Sequence, residues 1–322
     1  MRAIVVRELG GPEVLTIGER DDPKPKPGEI VAKVAAAGVN YTDIYQRSGI
    51  GAYKRQTPYV PGAEGAGTVL AVGEGVTELA VGDPVAWAEG PGSYAEQVAL
   101  PAANAVPVPR GFDLKDAAAV MLQGITAHYL CNSTFPVQEG NITVVHAAAG
   151  GVGLLLTQMV KKRGGVVIAT TSTTEKAVLA QHAGADHVTS YEEFVEAVMR
   201  ISGERGASVV FDGVGKTTFD NSLAALRPRG MMVLYGAASG PVPPFDPQRL
   251  NAAGSLFLTR PTMGHYLADR AELLWRAGEL FEWLASGELN LRIGGEYPLA
   301  DARQAHEDLA ARRTTGKLLL IP

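Results

Sequence analysis

The chain has a single cysteine, Cys131, among its 322 residues. No disulfide can form within the chain, so a reducing cytoplasm is expected. Long apolar runs are also missing. The longest, ITVVHAAAGGVGLLL, is shorter than the roughly 20 residues that span a bilayer, and glycines interrupt it. The N-terminal MRAIVVRELGGPEV lacks the apolar segment of a signal peptide. These absences predict a soluble cytoplasmic protein that does not enter a membrane.

Basic and metal-binding residues are also sparse. The net charge is −5, and the basic runs KPKP and KKR are short. Nucleic-acid binding needs concentrated Lys and Arg to displace counterions, so the composition argues against a nucleic-acid partner. His128 and Cys131 have the i, i+3 spacing of a helical metal site, but they supply two ligands where zinc needs three or four. No metal site is therefore expected.

Length and pattern together predict two domains, because 322 residues exceed one ordinary core. Short runs such as AIVVREL, EIVAKVAAAGV and DPVAWA, separated by Gly and Pro, predict a β-rich N-terminal part. From about Ala117 strand-like and helix-like segments alternate: NITVVHA, GGVGLLLTQMVKKRG, GVVIATTS, TEKAVLAQHAG and later ASVVFDGVG, KTTFDNSLAALRPRG and GMMVLYGAAS. This alternation predicts βαβ units and a parallel sheet.

The strongest chemical signal is HAAAGGVG, which lies between a predicted strand and a predicted helix. Aligned with the dinucleotide fingerprint G-x-G-x-x-G, its positions are Ala148, Gly150 and Gly153, so alanine replaces the first glycine. Gly150 would let the backbone approach a pyrophosphate, and Gly153 would let the helix pack closely. The N–H groups of the helix N-terminus would bind the phosphates. A plain tight turn between strand and helix is the alternative.

The strand after this glycine loop indicates which nucleotide binds. NAD sites usually place Asp or Glu about 20 residues further on, where the carboxylate binds the ribose hydroxyls. Here the strand ends in TTSTT, residues 170–174, followed by Glu175 and Lys176. Hydroxyls and a lysine suit a 2′-phosphate, and Glu175 falls within the next helical turn, so the pattern favours NADPH. An ordinary Ser/Thr helix cap is the alternative.

A second glycine-rich segment, GVGKTT at Gly213–Thr218, resembles a P-loop and also follows a predicted strand. A P-loop needs a glycine five positions before Gly215, and that position is Val210. We therefore interpret the segment as a strand-end turn beside the same cofactor crevice.

Several segments, in their order and spacing, are typical of one family: GVNYTDIYQRSG, PGAEGAG, VGDPVAWAEGPGSYAE, HAAAGGVG, FDGVG, LRPRGMMVLYG, SLFLTRPT and the closing LLLIP. Nearly the whole chain resembles the zinc-independent quinone oxidoreductases (zeta-crystallin-like) of the medium-chain dehydrogenase/reductase superfamily. The zinc alcohol dehydrogenases of that superfamily carry GHE where this chain has GAE, with Ala63 in place of the histidine. The resemblance implies NADPH-dependent quinone reduction without a metal, with Glu64 retained as scaffold.

The resemblance also implies the architecture, an α/β protein with a Rossmann doubly wound parallel sheet and a GroES-like β-barrel catalytic domain. The catalytic domain is expected at residues 1–122 and 260–322, and the NADPH-binding Rossmann domain at 123–259. The substrate cleft is expected between the two domains. A homodimer is expected through the edge of the Rossmann sheet, with GMMVLYGAAS as the edge strand.

Site residues are carried over where a motif matches. The cofactor residues are the loop Ala149, Gly150, Gly151, Val152 and Gly153, the 2′-phosphate group Ser172, Thr173 and Lys176, and Thr126, Tyr129, Tyr191, Tyr235, Gly236, Ser239 and Arg312. For the reaction, Asn40 would donate to a carbonyl or to the carboxamide, and Tyr45 and Tyr53 would donate to developing negative charge on oxygen. Arg260 would hold cofactor or substrate oxygens. Packing or solvation is the plain alternative for each side chain.

Other functions stay open from the sequence. An NADPH-dependent enoyl reductase acting on 2-haloacrylate or a small enone would use the same glycine loop, with Lys54, Arg55 or Arg260 available to a carboxylate substrate. Some zeta-crystallin-like proteins are non-catalytic lens proteins or bind AU-rich RNA. A nucleotide-sensing module is the remaining alternative.

Overall fold

The computed structural model describes residues 1–50 and 53–322, which divide into two units. The first unit joins Met1–Gln123 to Leu267–Pro322, and the second is Gly124–Tyr266. The second boundary falls later in the chain than the expected position at residue 260. One reason is that Tyr266 stacks on Tyr129 of the second unit, with 4.2 Å between the ring centroids.

Strands and helices follow in a regular order. The N-terminal part contains β1 (Arg2–Val5), β2 (Thr16–Glu19), β3 (Glu29–Val39), α1 (Tyr41–Ser48), β4 (Glu64–Val72), β5 (Pro84–Trp87), β6 (Gln97–Pro101), β7 (Val106–Pro107) and α2 (Leu114–Tyr129), which runs past the unit boundary. The central part contains β8 (Ile142–Val145), α3 (Gly151–Lys162), β9 (Val166–Thr170), α4 (Thr174–His182), β10 (His187–Thr189), α5 (Phe194–Ser202), β11 (Ala207–Asp212), α6 (Phe219–Ala224), β12 (Leu226–Leu234), α7 (Gln248–Ala252) and β13 (Phe257–Thr259). The C-terminal part contains α8 (Arg270–Ser286), β14 (Ile293–Pro298), α9 (Ala302–Ala310) and β15 (Lys317–Ile321). No helix within residues 1–50 and 53–322 is both long and apolar enough to cross a membrane.

The first unit is built on the long strand β3. Seven strands form one sheet in the order β14-β15-β3-β4-β5-β7, with β6 also paired to β3. Apolar residues of these strands fill a core in which Ile30, Trp87, Leu100 and Leu320 have no exposed surface. Full burial of one such side chain contributes about 1.5–3 kcal/mol, so this core holds the strands together.

The second unit is a doubly wound parallel sheet in the order β10-β9-β8-β11-β12-β13, which confirms the predicted fold class. The chain runs outward from β8 to β10, returns to the other side of β8, and runs outward again from β11 to β13. In such sheets ligands bind beyond the carboxyl ends of the strands, where the winding direction reverses. HAAAGGVG follows β8 and FDGVG includes the end of β11, so both motifs lie at this switch point.

Two sequence predictions about this sheet are wrong. KTTFDNSLAALRPRG is expected to form one helix, but α6 ends at Ala224 and β12 begins at Leu226. GMMVLYGAAS is expected to be the edge strand, but β12 pairs with β11 on one side and β13 on the other. Leu226 pairs with Ala207 of β11, and the stretch 231–233 that follows pairs with both β11 and β13, so strand pairing overrides the helical tendency at the end of this segment. The edge strands of this sheet are instead β10 and the short β13, which lies within SLFLTRPT.

Candidate functional site

The glycine loop carries the chain directly from β8 into α3. Ala147 adopts φ 51°, an unfavourable conformation for a residue with a Cβ, and its C=O accepts from Gly150 N–H (2.8 Å). A Cβ at Gly153 would collide with the C=O of Ala147 and lie 2.7 Å from the Cα of Ala148, so only glycine lets the helix approach the loop. The N–H groups of Gly151–Gly153 belong to the first turn, whose donors have no partner inside a helix. They have the character of an anion-binding helix start.

Tyr191 forms a hydrogen bond with the backbone of this loop. Its Oη accepts a hydrogen bond from Ala147 N–H (3.1 Å), and its ring lies beside that of His146, with 5.8 Å between centroids. Ala148 N–H donates to the C=O of Thr170 at the end of β9 (3.1 Å). The Tyr191 hydroxyl is therefore engaged with the loop backbone, and its predicted contact with adenosine stays a prediction. Two other predicted loop residues differ in exposure: Ala149 is buried and Val152 is half-buried.

The hydroxyl-rich turn after β9 begins α4. Thr173 caps this helix, its Oγ1 accepting from Lys176 N–H (3.3 Å), so the helix-cap interpretation holds for Thr173. Ser172 is exposed. Hydrogen bonds from its own backbone and from the Thr173 hydroxyl lower the pKa of Glu175, which keeps this carboxylate ionised at the start of α4. A capping residue can make a second contact, so the binding of a 2′-phosphate by Ser172, Thr173 and Lys176 stays a prediction.

The loops after β11 and β12 cross closely. A Cβ at Gly236 would collide with the C=O of Gly213 and lie 2.8 Å from its Cα. Ser239 Oγ donates to the C=O of Val214 (2.8 Å) and accepts from Thr217 N–H (3.1 Å). Ser239 therefore ties the two loops together at the carboxyl edge of the sheet.

Asp212, the last residue of β11, organises the turn GVGKTT. Its Oδ1 accepts from the N–H groups of Val214 (2.7 Å) and Gly215 (2.9 Å), and its Oδ2 accepts from the Thr218 hydroxyl (2.6 Å). In a P-loop the backbone N–H groups face a phosphate, whereas here they face a carboxylate. The interpretation as a strand-end turn agrees with this geometry. Tyr235, just after β12, donates its N–H to the C=O of Asp212 (2.9 Å).

Other predicted residues of the second unit lie at its ends. Thr126 and Tyr129 are buried near the end of α2. The Tyr129 ring stacks on Tyr266 with an interplanar angle of 7°, so one of its faces is covered by protein. Arg260 follows β13 directly and is exposed at the carboxyl edge of the parallel sheet. Their contacts with a cofactor or substrate stay predictions.

In the first unit, Asn40 takes part in a buried ion-pair network. Its Nδ2 donates to Glu64 Oε2 (2.9 Å), and its Oδ1 accepts from Lys317 Nζ (2.8 Å). Lys317 and Glu64 form an ion pair in which both side chains are 0% exposed. The other carboxylate oxygen, Glu64 Oε1, accepts from Leu122 N–H (2.6 Å). Both ends of the Asn40 amide are thus engaged, and its predicted donation to a carbonyl stays a prediction.

A second buried cluster begins at Asp43, in the first turn of α1. Asp43 Oδ2 accepts from Asn40 N–H (2.9 Å) and from the Tyr94 hydroxyl (3.0 Å), and Tyr94 Oη lies 3.1 Å from His306 Nε2. Burial raises the pKa of Asp43 to about 7 and lowers the pKa of His306 to about 3. Removal from water therefore favours the neutral form of both side chains.

The remaining predicted residues lie nearer the surface of the first unit. Tyr45 and Tyr53 are neighbours, with 5.3 Å between ring centroids, and Tyr53 is 38% exposed. Arg312 lies in the exposed turn after α9, with φ 56°. Its neighbour Arg313 forms an ion pair with Asp308 (2.6 Å). The structure thus brings the two tyrosines together.

Comparisons with known proteins agree on one family. Residues 151–274 match the family model of zinc-binding dehydrogenases, and residues 26–110 match that of the alcohol dehydrogenase GroES-like domain. A quinone oxidoreductase from Pseudomonas aeruginosa is 42% identical, over 97% of both chains. A 2-haloacrylate reductase from a Burkholderia species is 38% identical, over 99% of this chain and 98% of the relative. A mycobacterial protein solved in complex with NADPH is 49% identical and superimposes with a TM-score of 0.97 over 100% of both chains.

The chain belongs to the zinc-independent quinone oxidoreductase family. The family resemblance of the motifs is therefore confirmed, as is the combination of a GroES-like domain with a parallel Rossmann-type sheet. The GroES-like match covers the segment from just before β3 to just after β7.

Within this family, PGAEGAG has a structural explanation. A Cβ at Gly67 would collide with the backbone of Lys33, and one at Gly38 would lie 2.7 Å from the carboxylate carbon of Glu64. The glycines allow β3 and β4 to pair closely as antiparallel neighbours, and the buried Lys317 supplies the positive charge beside Glu64. In the part of the chain that the structure describes, no group of three or more His, Cys, Asp or Glu side chains is arranged to hold a metal ion.

Several polar residues of these networks are not among the predicted site residues. His146 stands inside HAAAGGVG, yet no spacing rule connects it with Ser222, which lies 76 positions later. Lys317 lies 253 positions from Glu64, and a lone lysine in a C-terminal strand carries no signal of an ion pair. Tyr266 is also absent from the predicted site residues, because only the fold brings its ring onto that of Tyr129.

Proposed function

We propose that the protein is an NADPH-dependent quinone oxidoreductase that transfers a hydride from the nicotinamide to a quinone without a metal. The observation that carries this proposal is the glycine loop at the switch point of the parallel sheet, next to the turn at residues 172–176. The Pseudomonas aeruginosa relative bears the name quinone oxidoreductase, and the mycobacterial neighbour was solved with NADPH.

The residues at the switch point fit a dinucleotide. The N–H groups of Gly151–Gly153 would bind the pyrophosphate, because they begin a helix and a Cβ is absent where the chain must come close. Ser172, Thr173 and Lys176 would bind the 2′-phosphate through hydroxyls and an ammonium. Bound NADPH supplies the hydride. The site would be completed by Ala149, Thr126, Tyr129, Tyr191, Tyr235, Gly236, Ser239 and Arg312.

A quinone suits a site that offers hydrogen-bond donors. Its carbonyls accept a hydride equivalent readily, so positioning and hydrogen bonding account for the required catalysis. Tyr45 and Tyr53 would donate to the oxygen that gains negative charge. Arg260 would hold cofactor or substrate oxygens, and Asn40, held by Lys317 and Glu64, would complete the donor set.

The test is NADPH oxidation by the purified protein with para-benzoquinone, phenanthrenequinone, 2-chloroacrylate and an acyclic enone. Quinone-dependent oxidation that is faster than with either alkene supports the proposal. Turnover with the alkenes alone moves the protein to the enoyl reductases, a function favoured by its 38% identity with the 2-haloacrylate reductase. NADPH binding without turnover of any acceptor would favour a sensing role. Salt-sensitive binding of an AU-rich oligonucleotide would revive a role in RNA binding.

The proposal extends to assembly and location. The edge strand β13 leaves Phe257 57% exposed, and pairing of two such edges would bury this side chain in a homodimer. A single free cysteine suits the reducing cytoplasm. Light scattering should give twice the mass of one chain for the wild type and a single-chain mass for Phe257→Lys. A single-chain mass for both proteins would contradict the dimer, and recovery of the protein outside the cytoplasmic fraction would contradict the location.

A further inference from the structure

A chain of buried hydrogen bonds crosses the second unit behind the glycine loop. His146 Nδ1 lies 2.8 Å from Thr170 Oγ1, and His146 Nε2 lies 2.9 Å from Ser222 Oγ. Ser222 Oγ donates to Asp212 Oδ2 (3.1 Å), which also accepts from Thr218 Oγ1 (2.6 Å). All five side chains are almost fully buried. This network of hydrogen bonds therefore links the carboxyl ends of β8, β9 and β11 with α6.

The contacts determine which atom donates and which atom accepts in each hydrogen bond of this network. Ser222 Oγ donates its single proton to Asp212 Oδ2, so Ser222 Oγ must accept from His146 Nε2–H. Burial lowers the pKa of His146, more than the nearby Asp212 carboxylate raises it. A neutral imidazole with its proton on Nε2 accepts at Nδ1, so the Thr170 hydroxyl donates there. Every side-chain donor and acceptor of His146 is then satisfied.

The loop beside this chain contains a residue that needs such support. Ala147, directly after His146, has the left-handed φ of 51°, a conformation that persists only where the surroundings over-determine it. The residue before Ala147, His146, is fixed by hydrogen bonds at both ring nitrogens. The residue after it, Ala148, donates its N–H to the C=O of Thr170, and Tyr191 Oη accepts from Ala147 N–H itself. Thr170 therefore contacts the loop from both sides of the strained residue.

We propose that His146, as the Nε2–H tautomer bridging Thr170 and the Ser222–Asp212 pair, is a positioning residue that holds the glycine loop in its cofactor-binding shape. Asp212 lies at the other end of this hydrogen-bond network and also accepts from Val214 and Gly215 N–H. The same carboxylate therefore positions the loop after β11 and, through His146, supports the glycine loop after β8. The inference rests on the proposed NADPH site, and it adds residues that contact the loop from behind and not the cofactor.

The first test measures the tautomer directly. The chain has six histidines, and ¹⁵N spectra of ¹⁵N-histidine-labelled protein, compared with His146→Gln, identify the signal of His146. We expect a protonated Nε2 and an unprotonated Nδ1 that holds over the neutral pH range. A protonated Nδ1 or an imidazolium would overturn the proposed direction of the network, whatever the cofactor.

The second test separates positioning from stability. Ser222→Ala removes the hydrogen bonds with both His146 and Asp212 and should raise the NADPH dissociation constant by about three- to tenfold, with kcat at saturating NADPH within about twofold. Ser202→Ala is the matched control. Ser202 is equally buried and accepts from Gly206 N–H (2.8 Å), but this bond lies at the amino end of β11, opposite Asp212. The control should lower the melting temperature and leave NADPH affinity unchanged.

The outcomes distinguish this inference from the proposed function. A wild type that does not bind NADPH contradicts the proposed function. A wild type that binds NADPH, with Ser222→Ala and Ser202→Ala showing equal affinities, contradicts only the positioning role of His146. Thr170→Val removes the hydroxyl at the opposite end of the hydrogen-bond network and should give the same loss of NADPH affinity. It therefore replaces Ser222→Ala if that variant does not fold.

Discussion

The buried pair of Lys317 and Glu64 makes a strong prediction about stability. Both side chains are 0% exposed, and Lys317 Nζ also donates to Asn40 Oδ1 (2.8 Å). Lys317→Met removes the ammonium, and among the described residues Leu122 N–H (2.6 Å) and Asn40 Nδ2 (2.9 Å) remain as partners of the Glu64 carboxylate. An uncompensated buried charge costs about 3–5 kcal/mol, so the free energy of unfolding of the first unit should fall by this amount.

The second substitution shows where that loss comes from. Adding Glu64→Gln to Lys317→Met removes the unpaired charge and keeps a side chain that accepts from Leu122 N–H. The double variant should therefore recover at least about 2 kcal/mol, because neutral replacements of buried pairs are often well tolerated. Arg303→Met is the control. It breaks an ion pair with Glu307 in which the arginine is 59% exposed, and it should cost less than about 1 kcal/mol.

The assay uses the distribution of tryptophan. The three tryptophans, Trp87, Trp275 and Trp283, all lie in the first unit. Urea unfolding followed by tryptophan fluorescence therefore reports on the unit that contains the pair. A loss below about 1 kcal/mol for Lys317→Met, or a double variant less stable than the single one, would refute the reasoning from the buried charge.

Three further predictions concern the cofactor loop and the Asp43 cluster. Gly153→Ala places a Cβ against the C=O of Ala147, so NADPH titration should show at least about tenfold weaker binding, and unchanged binding would contradict the close approach. Lys176→Ala should raise the KM for NADPH about tenfold and leave the KM for NADH unchanged. Equal changes in the two KM values would contradict a contact between Lys176 and the 2′-phosphate. Burial raises the pKa of Asp43 to about 7, so the stability it contributes is full below its unfolded pKa near 4 and is lost as the pH rises to 7. Burial lowers the pKa of His306 to about 3, so its contribution is full above about pH 6.5 and is lost as the pH falls towards 3. The two effects oppose each other: between pH 4 and 6.5 the unfolding free energy should rise with pH in Asp43→Asn and fall with pH in His306→Asn, each by about 1.4 kcal/mol per pH unit, and flat profiles in both would contradict the assignment.

The sequence was most informative where one short segment determines the geometry. HAAAGGVG between a strand and a helix requires a close turn, and the structure places its loop at the switch point of a parallel sheet. EIVAKVAAAGV predicts a strand because it is a short apolar run that follows Pro and Gly, and β3 covers that segment from Glu29 to Val39 with most of its residues buried. Local rules suffice in such places.

The sequence was least informative where distant partners determine the outcome. Leu226 begins a strand and not the end of a helix, because it pairs with β11 and the strand that it opens continues to residues 231–233, which lie between β11 and β13. His146 and Lys317 acquire their partners only through the fold, and neither spacing nor residue type indicates those contacts. PGAEGAG shows both situations, since its glycines signal a close crossing while the partner of Glu64 lies at the other end of the chain.

The measurement that tests the central claim most directly is quinone-dependent oxidation of NADPH and of NADH after exhaustive dialysis against a chelator. We predict that para-benzoquinone is reduced at an unchanged rate after dialysis, with kcat/KM for NADPH at least about tenfold above that for NADH, since one charge-assisted contact to the 2′-phosphate accounts for that factor. Activity that disappears on dialysis and returns with added zinc, or equal use of the two nucleotides, would contradict the account.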